Sequence, residues 1–162
     1  MTRCLFLSVT SLPSFDLYFS MRQNFPGSSP YEPIIGFSRA VRVGDCIHVA
    51  GTGPVGAEDG DAAAQTQRIF EIAGEVLARA GATWKDVVRT RMYLTDAADW
   101  EVVGRVHGEV FSVIRPAATM VVVAALLHPK WRVEIEFDAV VDADAVIDSG
   151  AVNSSKDSGA KG

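Results

Sequence analysis

The chain is poor in the residues that announce the commoner site chemistries. Only two cysteines, Cys4 and Cys46, occur in 162 residues. They lie far apart, one near the N-terminus and one inside a stretch of strand character, which makes neither a disulfide framework nor a metal knuckle and suits a reducing, cytoplasmic setting. The three histidines, His48, His107 and His128, fall on a strand-like, a helix-like and a turn-like segment without ligand spacing, so no metal is expected. Basic residues are outnumbered: 15 Lys and Arg against 20 Asp and Glu leave a formal charge of −5. That sign opposes binding driven by phosphate neutralisation and disfavours nucleic acid as a partner. No run approaches the roughly 18 uninterrupted apolar residues of a membrane helix, so no membrane partner is expected. GTGPVG at 51–56 lacks the Lys-Ser/Thr ending that brings charge to a phosphate.

What is present is globular composition, 48% hydrophobic and 22% charged, in a length that supports one ordinary domain. Residues 1–30 read as a leader outside the fold. MTRCLFLSVTSLPSFDLYFS lacks a small-residue cleavage signature, and a turn-rich stretch follows Met21. Residues 143–162, nearly free of large side chains, read as a disordered tail. The domain is therefore expected over 31–142.

Within it, FSRAVRV and CIHVAG flank Gly44-Asp45 as a hairpin. Residues 61–80 carry apolar groups at Ile69, Ile72, Ala73, Val76 and Leu77, with Asp61 before them and Gly81 after, which predicts a capped amphipathic helix. VVRTRMYL at 87–94 alternates as a strand. A second helical pattern runs over 97–114 until Pro116 stops it, and two strands follow at 118–126 and 133–141. The order β-β-α-β-α-β-β predicts an α+β sheet with both helices on one face.

Parity sorts the charges. On 133–141 Glu134, Glu136 and Asp138 oppose Val133, Ile135 and Phe137; on 87–94 Arg89, Arg91 and Tyr93 oppose Val88, Met92 and Leu94. If these strands are neighbours, carboxylates and guanidiniums meet across the ladder. Such a face is either solvated or covered by another subunit. The strand 118–126 is apolar on both parities, as in strands buried on both sides, which favours coverage in a homo-oligomer.

The ordered segments VGDCIHVAG, AQT at 64–66, LARAGATWKDVVRTRMYLTD, VFSVIRPA and VEIEFDAVV together resemble the reactive intermediate deaminase (Rid, YjgF-type) family over nearly all of 35–141. The resemblance implies a chorismate-mutase-like mixed β-sheet with two helices on one face. It also implies a homotrimer with a small-molecule pocket at each subunit interface and no cofactor. Active members hydrolyse reactive enamines and imines to carbonyl compounds and ammonia.

The family's carboxylate-clamping arginine follows the Pro-Ala pair, a position held here by Ala118. Losing a bidentate guanidinium–carboxylate contact is expected to weaken carboxylate binding by roughly 10² to 10⁴-fold. Phe37 and Gly104 replace a phenolic and an asparagine position of the pocket. Gly51 and Glu134 are retained, Glu134 matching a water-orienting carboxylate and being equally readable as a cross-strand partner of Arg89 or Arg91. The resemblance thus assigns Glu134 as the catalytic candidate. Phe37, Gly51, Thr52, Arg91, Gly104, Ala118, Thr119 and Met120 are the ligand-binding candidates, with Arg91 as a replacement cation. The pocket is expected to be more apolar than a deaminase pocket. Hydrolysis with altered preference stands against a non-catalytic metabolite-binding trimer, and RNA cleavage, attached to some relatives, is disfavoured by charge.

Overall fold

The structure, a computed structural model, describes residues 22–142. The first 21 residues of the expected leader and the expected tail lie outside the described residues. Among the described residues, nineteen apolar side chains drawn from both helices and four strands are buried, and what shields them on one side is a sheet of six strands. They are β1 (Arg22–Phe25), β2 (Ala40–Val43), β3 (Cys46–Thr52), β4 (Val87–Leu94), β5 (Ala117–Val122) and β6 (Val133–Val140), in the order β1-β2-β3-β6-β4-β5. Only β4 and β5 pair in parallel; every other pair is antiparallel. Helix α1 (Ala62–Arg79) joins β3 to β4 and α2 (Trp100–Phe111) joins β4 to β5, with β6 inserted between β3 and β4.

The local causes are visible in the chain. Gly44 takes φ +60° at the first centre of the two-residue turn that sets Val43 opposite Cys46. Asp61 caps α1 by accepting from the Ala64 amide at 2.9 Å, and Gly81, at φ +81°, lets the chain leave after Ala80. Ile69, Ala73, Val76 and Leu77 repeat at helical spacing and are buried against β3 and β6. Phe70 and Phe137 meet edge to face at 5.7 Å, and Trp84 and Phe111 close the same aromatic cluster. The sheet face toward the helices is thereby dry.

Four expectations are corrected. The domain opens before residue 31: Arg22–Phe25 pairs with Val43–Ala40, and Phe25 packs on the core. A four-residue strand with one large apolar group leaves no alternation to read. Val88 is 48% exposed, not in the buried row with Met92 and Leu94, because a bulge between Val87 and Arg89 adds a residue opposite Ala139–Asp138 and reverses its direction. The second helical segment begins as a 3₁₀ turn at Ala97–Asp99 and ends as α2 at Phe111, three residues short of expectation. The strand expected over 118–126 is β5 at Ala117–Val122, and within one protomer it is an open edge, with Val121 42% and Val122 54% exposed.

His107 on α2 shares a hydrogen bond of 3.0 Å with the fully buried Thr90 hydroxyl, and its ring lies 4.7 Å from Phe111. Burial lowers its pKa from the ordinary value of 6.5, so the folded state keeps the ring neutral. The stability this confers is present above the unfolded pKa and lost as pH falls through the depressed folded one. Denaturant unfolding should therefore show stability declining between pH 7 and 5, by at most about 1.4 kcal/mol per pH unit for one proton. The His107→Phe/Thr90→Val double variant should flatten that decline.

Candidate functional site

The site is built on a break in the ladder between β3 and β6. Val49 faces Phe137, yet Thr52 faces Ile135, so three steps on β3 span two on β6. The extra residue falls at Ala50–Gly51, turning the Gly51 carbonyl out of the ladder. Gly51 is needed there for space: a Cβ would run into the Glu134 carboxyl group, which lies against the Gly51 backbone. The group that approaches Gly51 within the chain is the protein's own Glu134 carboxylate.

A guanidinium closes the arrangement from the other side. Arg39, just ahead of β2, donates from Nη1 to the Gly51 carbonyl at 2.6 Å and to Thr52 Oγ1 at 3.3 Å, while its own carbonyl accepts from Ala50 N at 3.0 Å. Its guanidinium lies 5.8 Å from the Phe37 ring centre. Behind it the buried Glu32 carboxylate accepts twice from the Gly27 amide, at 2.8 and 3.0 Å. Arg39 thus stands between two acids. Burial lowers its pKa and the fields of Glu32 and Glu134 raise it. The Glu134 carboxyl is pushed above its ordinary 4.5, first by burial and then by the neighbouring Glu136, with Arg39 opposing. Opposite Glu134 on β4 is Tyr93, whose phenol is held protonated above its ordinary range by burial and by Glu136. A carboxyl with a raised pKa, a cation and a phenol therefore meet at one end of the polar face, a set able to hold and deprotonate water.

The other expected site residues divide. Arg91 is not a free cation: Nη1 pairs with Glu136 at 3.1 Å and Nη2 with Asp138 at 3.0 Å. The charges meet across β4 and β6 as parity requires, and Asp138 also takes His48 at 2.8 Å. Thr119 shares the polar face with Arg91, its partner in register, whereas Ala118 and Met120 align with Thr90 and Met92 on the helix side. Met120 packs against the core there. Gly104 is on α2, on the helix side of the sheet, with open space where a Cβ would stand. Since Val121, Tyr93 and Glu134 are in register, Ala118 lies two strands over and three residues back from Glu134. At ~4.8 Å per strand and ~3.3 Å per residue that is about 14 Å. One protomer does not bring Ala118 and Glu134 into a common pocket.

Toward α1, past Gly51 and Thr52, opens a cavity of about 540 Å³ whose walls include none of the other expected residues. Sequence reading missed Arg39 and Glu32, and it had Tyr93 only as one of a polar row. The SRA triplet carries no spacing that aims Arg39 at Gly51, because the contact depends on a bulge twelve residues later. Among the described residues no three His, Cys, Asp or Glu side chains cluster as a metal set, and no helix is long and apolar enough to cross a membrane.

Residues 27–141 match the family described as Endoribonuclease L-PSP. The chain is 38% identical over 115 residues to an uncharacterized protein of Streptomyces coelicolor, covering 68% of this chain and 86% of that one. It is 33% identical to the 3-aminoacrylate deaminase RutC of Acinetobacter baylyi, again over 68% of this chain and 86% of the relative. Among solved structures, Rv2704 of Mycobacterium tuberculosis, a member of the YjgF/YER057c/UK114 family, superposes with a TM-score of 0.70 at 46% identity. That match covers 75% of this chain and all of Rv2704. NMB1025 of Neisseria meningitidis, a YjgF-family protein, gives 0.67 at 30% identity over 78% of this chain and all of its own. The chain belongs to this Rid (YjgF-type) family, as a divergent member.

Gly51→Ala tests the heart of the site. The obstructing atoms are the end of a flexible side chain, so Glu134 should swing aside at little cost in stability. Its carboxyl, moved toward water, should titrate closer to 4.5 than in the parent by carboxyl-carbon NMR.

Proposed function

We propose that this protein hydrolyses a reactive imine or enamine to a carbonyl compound and ammonia, with Glu134 as the base that activates water. The observation that carries the reading is the Glu134 carboxyl resting on Gly51 beside Arg39 with its pKa raised by burial. The name of the 33%-identical RutC, a 3-aminoacrylate deaminase, supports the reaction class. An enamine first takes a proton on carbon to become the iminium. Glu134 then accepts a proton from water as its oxygen adds to the C=N carbon, and returns it to nitrogen. The carbinolamine hydroxyl releases its proton, C=O forms, the C–N bond breaks, and ammonia leaves. No electrons change hands and no cofactor is consumed.

Preference is altered in this reading. With Ala118 at the clamping position and Arg91 engaged by Glu136 and Asp138, Arg39 is the cation beside the base. Half of its grip is already committed to Gly51 and Thr52. A single remaining charged contact favours small or weakly charged imines over those needing a two-pronged clamp.

Imines generated in situ by an amino-acid oxidase, followed by carbonyl release, test this directly. Glu134→Gln should lower the rate by about 10² to 10⁴-fold, the range typical of general-base loss. The rate should also fall as pH drops through the raised Glu134 pKa, above 4.5, because the ionised form is the base. Arg39→Gln, which removes the one neighbour that favours ionisation, should move that acid limb upward. Saturable stabilisation by the carbonyl product without turnover of any imine would favour the alternative, a non-catalytic metabolite-binding protein.

The working unit in this reading is a homotrimer with the pocket between subunits. The gap between Ala118 and Glu134 within one chain supports it, as does the exposed apolar edge of β5 at Val121 and Val122. Light scattering should give three times the 17.4 kDa protomer mass, and Val121→Asp should shift it toward one protomer with loss of turnover.

A further inference from the structure

We propose that the cavity between α1 and residues 27–31 is a second binding site, for a small organic monoanion with a flat or branched apolar body. It lies within one protomer and does not depend on catalysis at Glu134. Its volume of about 540 Å³ falls among small-molecule pockets, which run to roughly 300–1,000 Å³.

Its polar groups are nearly all donors. Arg39, Arg68 and Arg79 line it against one carboxylate, Glu75. Each guanidinium is aimed by a neutral backbone acceptor: Arg39 by Gly51 O at 2.6 Å, Arg68 by Val55 O at 2.9 Å, and Arg79 by Pro26 O at 2.5 Å. Arg68 has in addition the exposed Glu71 at 2.8 Å. Within the described residues Arg79 makes no ion pair, and Arg39 makes no direct one although it lies in the fields of Glu32 and Glu134; both keep unused N–H groups. Cations oriented by carbonyls, with N–H groups still unused, form a preorganised anion site. Trp131 is another wall residue, its indole N–H buried without an acceptor among the described residues.

Placement of the acid follows from the chain. Arg79 holds Pro26, and a Cβ on Gly27, the next residue, would stand 3.3 Å from Arg39 Nε and 2.7 Å from Glu32 Oε1, so the acid group must enter on the guanidinium side away from Glu32. These two arginines therefore converge on Pro26–Gly27. Arg68 is eleven residues earlier on α1, about 16 Å away at ~1.5 Å per residue. Between the ends, the half-buried Ile72 and the buried Val76 line the cavity from the same helical stripe, and Trp131 lines it too, its ring covering Gly53 so closely that any Cβ there would strike it. An acid group at Arg39 and Arg79 with an apolar body along Ile72 and Val76 satisfies both parts.

Isothermal titration with phenylacetate, and with phenylacetamide as its neutral isostere, tests the assignment. The acid should bind saturably and the amide at least about tenfold more weakly. Arg79→Gln, a change at an exposed helix end that leaves the fold intact, should weaken the acid about tenfold to hundredfold. Ile72→Trp should block it by filling the cavity, and Glu134→Ala should leave it unchanged. Equal binding of acid and amide, absence of saturable binding, or binding that survives Arg79→Gln and Ile72→Trp would overturn the proposal. Binding lost in Glu134→Ala alone would assign the acid to the Glu134 face instead, and would leave the hydrolase reading standing.

Discussion

The added residue in β3 at Ala50–Gly51 is the constraint on which the rest of the site depends. A regular ladder would bind the Gly51 carbonyl to β6 and leave Arg39 nothing to hold. With the bulge, that carbonyl faces Arg39, the bare Cα accepts the Glu134 carboxyl, and Gly51–Gly53 becomes a shared wall. Base, cation and cavity margin are consequences of one register shift. Their spacing is fixed by backbone rather than by flexible side chains, which is how a site is held in geometry before a ligand arrives.

Charge on the polar face is divided by environment. At the open end Arg91, Glu136, Asp138 and His48 form an ion-pair network on partly exposed side chains. Exposed pairs of that kind add little to stability, and here they keep Arg91 from serving as a ligand clamp. At the closed end Glu134 and Arg39 are drawn out of water, where burial and a neighbouring acid shift the carboxyl upward. Beside the apolar positions the sequence points to, a guanidinium that it does not point to stands near Glu134, brought there from the segment ahead of β2.

Family membership fits this division. The fold is shared with Rv2704 and NMB1025 at TM-scores of 0.70 and 0.67, and the retained Gly51 and Glu134 occupy the bulge and its partner strand. Phe37, Gly104 and Ala118 are spread over a loop, the helix side and an edge strand, none of them adjoining Glu134 through the ladder.

Much of the architecture was legible along the chain because period and parity are local properties. Asp61 and Gly81 bounded α1, Gly44 turned the hairpin, and alternation on 133–140 separated Glu134, Glu136 and Asp138 from the core before any contact was known. Pairing of Arg91 with those acids needed only the further fact that β4 adjoins β6. Tertiary structure alone decided the rest. Bulges at Val88 and at Ala50–Gly51 reverse side-chain direction without any change of composition, β1 carries too few apolar residues to show a period, and Arg39 reaches Gly51 only after three strands have assembled. Local sequence sets which way a residue points within its own element, but the contacts that make a site depend on register between elements, which is fixed only when they pack.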